Sequence, residues 1–221
     1  SNPDTLDDDS HGGGLSVSRA FLARVSGEDD LAIPELATVM DLRILEKITA
    51  AHPWLSAPEG WRVHFGRELN ASHDRGGLQP LTGARHARRV LEGKQIGPFR
   101  VALDQCTAEL RPEAARSHRV PRRPRLAYRD VASATNRLTL IAAIVPARAV
   151  TTHTLFCLRE ALPYRRQLLL CALLNSLVAN YLVRLRVHTH VTASIMARLP
   201  VPVIEDASPA AMRLSELAER L

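Results

Sequence analysis

Side chains that could contact a nucleic acid are concentrated in one short segment, residues 129–139, between two apolar runs. Phosphate oxygens accept hydrogen bonds from guanidinium and hydroxyl groups, while base edges are read by amides and by bidentate arginines. A solvated hairpin turn has the same local composition, so the pattern alone leaves both interpretations open. The candidate contacts in this segment are Arg129, Ser133, Thr135, Asn136, Arg137 and Thr139.

These candidates have different chemical roles. Arg129 and Arg137 flank the turn, and each could clamp a phosphate or make a bidentate contact to guanine. Asn136 can pair with adenine through its amide, and the neighbouring hydroxyl groups can donate to phosphate oxygens. The alternatives are ordinary: Asp130 could pair with Arg129 inside the domain, and Asn136 could only stabilise a turn.

Two further segments carry candidates of the same kind. Lys94 follows Gly93, which allows the backbone to approach a ligand closely, and Lys94 therefore suits a phosphate contact. Arg67 and Asn70 lie at the end of an earlier polar segment and are candidates for the same kind of contact. We include these three side chains among the expected DNA contacts.

One alternative is hydrolytic. Asp74, Glu92 and Lys94 resemble the two carboxylates and one lysine of metal-dependent nucleases, in which the acids hold Mg²⁺ and the lysine orients the attacking water. His188 and His190 lie two apart and offer a weak metal-binding pattern. The sequence has no phosphate-binding glycine loop, no zinc-type Cys or His spacing and no nucleophile elbow.

The overall charge favours a polyanionic partner. The chain has a net charge of +6, and nearly all of its basic residues are arginine. Its length of 221 residues suits one large or two small domains. Residues 111–129 contain seven arginines and the single acid Glu113. Such a local excess would release counterions from DNA, although a solvated loop would have the same composition. Aromatic residues make up only 4% of the chain, which excludes base stacking as the main binding mode.

The cysteines and the apolar segments predict a cytoplasmic protein. The three cysteines have no metal-type spacing, and Cys157 and Cys171 lie in apolar runs typical of a core. We therefore expect a reducing compartment. No signal peptide is visible, and the apolar segment 168–183 is interrupted by polar residues and is shorter than a membrane span. We expect a buried helix there and no membrane partner.

The hydrophobic patterns predict an α+β fold with a mixed sheet of several strands and hairpins and with packed helices. The basic connector 111–124 should be irregular, and Leu174, Leu177 and Tyr181 should be core. The predicted strands are 15–25, 61–65, 96–103, 150–158 and the hairpin 125–146. The predicted helices are 34–51, 162–185 with a break near Asn180, 189–198 and 210–221. Residues 199–203 should form an extended segment that braces the fold.

Three regions are expected along the chain. Residues 1–14 are acidic and then glycine-rich, as in a flexible lead-in. Residues 15–205 should form a DNA target-recognition domain, and residues 206–221 should begin a truncated helix. We therefore expect the chain to be a fragment of a longer protein.

Six segments in order resemble one family, the C-terminal target-recognition domain of N6-adenine DNA methyltransferases of the type IIG restriction–modification kind, which also occurs in phage-defence methylases. No segment is diagnostic alone, and the resemblance covers about residues 15 to 205. The segments are Trp61–Asn70, Val90–Phe99, Leu126–Pro146, His153–Leu155, Leu174–Ser176 with Asn180–Tyr181, and Leu199–Pro202.

The resemblance implies that two domains have different functions. In that family an N-terminal domain binds S-adenosylmethionine and methylates adenine, and the C-terminal domain reads the sequence of double-stranded DNA. This chain lacks the family's Asn/Asp-Pro-Pro-Tyr/Phe motif and its glycine-rich cofactor loop. We therefore expect no cofactor in this chain and a partner methyltransferase domain in the same polypeptide. A non-enzymatic alternative is a subunit-interaction module of a restriction complex, in which the helices at 162–185 and 210–221 dock a partner.

Overall fold

A computed structural model describes residues 15–28, 31–70, 74–84, 87–117, 121–133 and 135–221. These residues form the α+β fold that the sequence predicts, and the expected lead-in, residues 1–14, lies outside them. The helices are α1 (Arg19–Ser26), α2 (Val39–Ala51), α3 (Ala114–Ser117), α4 (Tyr164–Leu174), α5 (Leu177–Arg184), α6 (Ala193–Ala197) and α7 (Pro209–Arg220).

The strands form three sheets within the described residues. They are β1 (Phe65–Gly66), β2 (Leu78–Pro80), β3 (Arg89–Leu91), β4 (Ile96–Gly97), β5 (Arg100–Val101), β6 (Ala108–Leu110), β7 (Arg125–Arg129), β8 (Ala142–Val145), β9 (Val150–Thr151) and β10 (Leu155–Leu158). The central sheet is antiparallel, with the order β1-β10-β7-β8. The second sheet has the order β2-β6-β3-β9, in which β3 and β9 are parallel, and β4 and β5 form a separate pair.

The predicted hairpin is confirmed as the centre of the fold. β7 and β8 pair antiparallel, with Arg125 opposite Val145 and Tyr128 opposite Ala142. Leu126 and Tyr128 belong to the main core, whereas Ala127 belongs to a second apolar cluster. Because alternate residues of a strand face opposite sides, this division shows that the central sheet is buried on both faces.

The long apolar helix bends earlier than predicted. It is divided into α4 and α5, which meet at 61°, because Ser176 begins a new helix by accepting a hydrogen bond from the Ala179 N–H at 3.1 Å. Leu174 is fully buried, as predicted. Leu177 is 80% exposed, so its expected core position is wrong.

The segment 15–25, predicted as a strand, contains helix α1. Ser18 caps the helix by accepting from the Phe21 N–H at 3.1 Å, and Phe21 and Val25 are buried on one face. Gly27 ends the helix with φ 91°. The four-residue spacing of Phe21 and Val25 therefore overrides the loose alternation that suggested a strand.

Two other predicted strands are divided by turns. In segment 96–103, β4 and β5 form a tight hairpin, since Pro98 favours a turn there. In segment 150–158, the Leu155 N–H donates to the Thr152 carbonyl at 3.1 Å, so β9 joins the second sheet and β10 the central sheet. Of the predicted strand 61–65, only its last residue lies in β1.

A buried ion pair links the two larger sheets. The Arg125 guanidinium is paired with the Glu68 carboxylate, and both side chains are almost inaccessible to solvent. Glu68 also accepts from the backbone N–H and the hydroxyl of Thr151, each at 2.9 Å. Arg125 donates to the Ala149 carbonyl at 2.9 Å. Every strong hydrogen-bonding group of the pair is therefore engaged, as burial of charge requires.

The C-terminal segments close the core. The stretch 199–203 is extended as predicted: the Leu55 N–H donates to the Leu199 carbonyl at 2.9 Å. Helix α7 packs on α4, and the Ser215 hydroxyl donates to the Arg165 carbonyl at 3.3 Å. All three cysteines are free and buried, in agreement with the core placement of Cys157 and Cys171.

Within the described residues, no single helix combines the length and the apolar character needed to cross a membrane; α4 and α5 meet both criteria only jointly, across their bend.

Candidate nucleic-acid interface

Polar and cationic side chains meet at one end of the central sheet, where β7 ends and β10 begins. The long hairpin loop, described at residues 130–133 and 135–141, lies there with the segments 92–94, 152–154 and 189–191, and we call these four parts of the chain the loop surface. Backbone hydrogen bonds hold them together. The Asp130 N–H donates to the Thr154 carbonyl at 3.0 Å, and the Ala132 N–H donates to the Thr189 carbonyl at 3.1 Å.

The tip of the loop presents polar side chains to solvent. The hydroxyls of Ser133 and Thr135 are 2.8 Å apart, and the Asn136 N–H donates to the Ser133 carbonyl at 3.0 Å. Thr135, Asn136 and Arg137 are exposed, and Ser133 is half-buried. The turn that Asn136 was expected to stabilise is present, and its side-chain amide remains exposed.

Arg184, at the end of α5, supports this tip from behind. Its Nη2 donates to the Asn136 carbonyl at 2.8 Å and to the Arg137 carbonyl at 3.1 Å. Its Nε donates to the Thr139 hydroxyl at 3.3 Å. Thr139 is buried, so it contributes to the shape of the loop from inside. No local signal in the sequence links Arg184 to a loop that precedes it by more than forty residues.

Asp130 organises the start of the loop. Its buried carboxylate accepts from Arg67 Nη2 at 2.7 Å and lies 3.3 Å from His190 Nδ1. Arg67 also stacks over the Phe156 ring, 4.8 Å from its centre. The structure therefore brings Arg67 to the loop surface, and Asp130 pairs with Arg67 and not with its neighbour Arg129. His190, considered above as a metal ligand, contacts this carboxylate, whereas His188 contacts Glu35 at 3.4 Å.

Beside the loop lies an open cleft of about 330 Å³, which we call the Arg129 cleft. Lys94 Nζ pairs with Glu92 at 2.7 Å on its rim, and the Gly93 N–H donates to the Thr154 hydroxyl at 2.9 Å. Its lining residues are Glu92, Gly93, Lys94, Arg129, Val131 and Thr154.

Arg129 is half-buried, and its Nε is buried without a hydrogen-bond partner in the described part of the chain. Burial lowers the pKa of Arg129, because desolvation disfavours the charged guanidinium. Gly93 lies close by: a Cβ there would come within 3.8 Å of Arg129 Cγ. This is an ordinary van der Waals distance, so the backbone of Gly93 lies next to the arginine stem without crowding it.

Asn70 lies outside the loop surface. The backbone N–H of Asn70 donates to Asp74 at 2.6 Å, and the preceding Leu69 packs against Leu110 and Val150 of the second sheet. Asn70 thus belongs to the loop that leads into β2.

The carboxylates of the nuclease alternative do not meet. Leu78 lies opposite Leu110, whereas Val90 lies opposite Ala108, and the register therefore places the start of β2 and the end of β3 at opposite ends of the second sheet. Asp74 precedes β2, and Glu92 follows β3. Across the described residues, no group of three or more His, Cys, Asp or Glu side chains is arranged to hold a metal ion.

The arginines of the run 111–129 do not share one environment. Arg125 is buried at the start of β7, and Arg129 stands at the other end of that five-residue strand. Arg119 lies outside the described residues. The exposed members of the run are Arg111, Arg116, Arg122 and Arg123.

Comparisons with models of known protein families and with curated proteins find no match to this sequence.

Proposed function

We propose that this protein reads the sequence of double-stranded DNA through the loop surface. The observation that carries the proposal is the convergence of the selected residues: all of them except Asn70 lie in the loop surface, border it or are joined to it by Asp130. They come from three parts of the chain that are distant in sequence, at Arg67, at Lys94 and in the segment 129–139. A solvated hairpin turn gives no reason for Arg67 and Lys94 to meet the same loop.

The charges at the loop surface suit a polyanion. Five cationic side chains and two carboxylates belong to it or adjoin it, which leaves an excess of positive charge that duplex phosphates can neutralise. The cationic side chains are Arg67, Lys94, Arg129, Arg137 and Arg184, and the carboxylates are Glu92 and Asp130.

In the proposed readout, one kind of side chain contacts phosphates and another contacts bases. Arginine and hydroxyl contacts to phosphates fix the register of the protein on the duplex, and they carry no base information. Asn136 and Arg137, exposed at the tip, supply base contacts in the groove, adenine for the amide and guanine for the guanidinium. Because Arg184 holds both of their carbonyls, the tip is already ordered before DNA binds.

Within this proposal the chain is the recognition domain of an adenine-N6 DNA methyltransferase of a restriction–modification or phage-defence system. A separate methyltransferase domain that carries S-adenosylmethionine takes up the flipped adenine. This chain contributes binding and orientation. The cytoplasm is the proposed location, since the three buried free thiols suit a reducing compartment.

A selection from randomised duplexes tests this function directly. The protein should enrich a defined sequence, and the variant Asn136→Ala with Arg137→Ala should lose or change that preference while keeping its fold by circular dichroism. The control is Arg122→Ala with Arg123→Ala, which removes two exposed arginines at the other end of β7. Enrichment of no sequence by the wild type would refute sequence reading.

One observation favours a second function, the docking of a partner subunit. Leu177 and Val178 begin α5 and are 80% and 56% exposed, an apolar pair on the surface. In this alternative a methyltransferase subunit covers them. Co-sedimentation with such a subunit in the absence of DNA, lost in Leu177→Asp, would support it, and no association of the wild type would exclude it.

A further inference from the structure

The Arg129 cleft contains a hydrogen-bond donor that the fold leaves unused. Arg129 Nε is buried, yet within the described residues it has no acceptor and its guanidinium has no carboxylate partner. A buried donor without an acceptor is destabilising, and a buried cation more so. Arg166 Nε is likewise buried without a hydrogen-bond partner, but its guanidinium lies 3.5 Å from the Asp206 carboxylate and over the Trp61 ring. Arg184 is satisfied by two carbonyls. Among the described residues Arg129 has neither an ion pair nor a ring contact of this kind, so its Nε is available to an acceptor supplied by a ligand.

The cleft indicates the chemistry of that acceptor. Lys94 and Arg129 are both cationic and line the same opening, and Thr154, whose hydroxyl accepts from the Gly93 N–H at 2.9 Å, lines it as well. A tetrahedral oxyanion can accept from several such donors at once. On the rim, Val131 is 59% exposed and offers an apolar contact beside the charged groups. A sugar attached to a phosphate would meet such a surface, whereas a free phosphate would not use it.

We infer that the Arg129 cleft binds one backbone phosphodiester of the DNA, with Arg129 and Lys94 donating to its oxygens. This inference rests on the proposed function, because the duplex that supplies the phosphodiester lies on the adjoining loop surface. It assigns Arg129 to phosphate, not to guanine, and it leaves base reading to the tip of the loop.

Glu92 is the internal competitor for this site. In the free protein it pairs with Lys94 at 2.7 Å, and both side chains are substantially exposed. An incoming phosphodiester must take Lys94 from Glu92 and approach the carboxylate charge. Glu92 therefore weakens binding of the phosphodiester, and neutralising it should strengthen binding.

The variant Arg129→Met separates a binding role from a structural one. Methionine keeps an unbranched apolar stem but removes the unsatisfied donor and the half-buried charge. We expect Arg129→Met to raise the midpoint of thermal unfolding without DNA. It should also weaken binding of a mixed-sequence duplex about tenfold and reduce the slope of log K against log salt by about 0.9, the change for one phosphate contact. Arg123→Met, with the same charge change at an exposed position, is the matched control and should alter both much less.

The variant Glu92→Gln tests the competitor. We expect duplex binding several-fold tighter at low salt, because the amide no longer repels the phosphodiester. Glu216→Gln on α7 makes the same charge change at an exposed carboxylate and should leave binding nearly unchanged. Equal gains in the two variants would attribute the effect to net charge and overturn the site.

Three outcomes distinguish this inference from the proposed function. If Arg129→Met lowers the unfolding midpoint and binds duplex normally, Arg129 is structural and the inference fails, even if the loop variant shows that sequence reading stands. If Arg129→Met weakens duplex binding but the wild type selects no sequence, the phosphodiester site stands and sequence reading fails. If inorganic phosphate stabilises the protein in thermal unfolding through Arg129 while duplex does not bind, the cleft serves a free phosphate and the inference is overturned.

Discussion

The side-chain amide of Asn175 makes with Ala142 the two hydrogen bonds that a neighbouring β-strand would make. Asn175 Oδ1 accepts from the Ala142 N–H at 3.1 Å, and Nδ2 donates to the Ala142 carbonyl at 2.8 Å. Ala142 lies in β8, the edge strand of the central sheet, so these backbone groups would otherwise have no strand partner. Asn180 makes one bond of this kind just before β8: its Oδ1 accepts from the Leu140 N–H at 2.9 Å, while its Nδ2 donates to the Ser176 carbonyl. These two asparagines join the helices to the sheet edge.

Asn175→Leu should lower the free energy of unfolding by about 1–3 kcal/mol, because the buried Ala142 N–H loses its acceptor, while the Ala142 carbonyl keeps the hydrogen bond from the Phe99 N–H at 3.0 Å. Denaturation by urea measures the change. Leu177→Ala, two residues along and exposed, is the control and should cost less than about 0.5 kcal/mol. Equal effects of the two substitutions would contradict a role for the asparagine at the sheet edge.

Arg129→Ala combined with Arg137→Ala should weaken binding to duplex DNA and flatten its salt dependence. Removing one arginine–phosphate interaction reduces the slope of log K against log salt by roughly 0.9. Fluorescence anisotropy between about 50 and about 200 mM salt gives the slope. The double variant Arg122→Ala with Arg123→Ala carries the same charge change. An unchanged slope in the correctly folded first variant would remove both arginines from the interface.

Glu68→Gln should destabilise the protein by about 3–5 kcal/mol, because it leaves the buried guanidinium of Arg125 without its counter-charge. Thermal or urea unfolding measures this loss. The double variant Glu68→Leu with Arg125→Met should recover part of the stability, since no uncompensated charge remains buried. Independent, additive costs of the two positions would contradict the tight coupling seen in the structure.

Stability should fall as the pH rises above about 9. Burial raises the pKa of the Cys157 and Cys171 thiols to about 12 and that of the Tyr181 hydroxyl to about 12. A pKa raised on folding contributes stability that is fully present below the unfolded pKa and is lost as the pH rises through the folded value. For the thiols this window runs from 9.0 to about 12. Urea unfolding at a series of alkaline pH values should show the decline.

Cys171→Ala should make that alkaline decline less steep, because the variant lacks one of the groups that must ionise. The comparison concerns the slope against pH, so a constant loss from the smaller side chain does not affect it. A profile parallel to that of the wild type would exclude this thiol as a contributor. The native thiols should also resist a disulfide reagent until the protein unfolds.

Local patterns in the sequence were sufficient where neighbouring residues decide the structure. The hairpin 125–146, helices α2, α4 and α7 and the buried thiols follow from alternation, spacing and apolar runs, whereas helix α1 lies in a segment predicted as a strand. Segment 150–158 was predicted as one strand because nothing within it reveals that its halves pair with β3 and β7. Its division depends on partners that are distant in the chain.

The candidate site was predictable only where residues close in sequence determine it. The polar composition of the loop identifies its exposed tip, but the run of arginines around 111–129 gave a misleading picture of charge. Arg125 is paired with a glutamate 57 residues earlier in the chain, and no pattern in the sequence indicates that pairing. The support from Arg184 likewise depends on how α5 packs behind the loop.

The groups that hold the loop in place lie outside its tip. Asp130 anchors its beginning, Arg184 holds the carbonyls of Asn136 and Arg137, and neither attachment involves the side chains at those two positions. The side chains of Asn136 and Arg137 can therefore be replaced without loss of these attachments, whereas those of Ser133 and Thr135 hydrogen-bond to each other. A lineage carrying this framework could diversify what it recognises by point substitution, while the scaffold beneath stays the same.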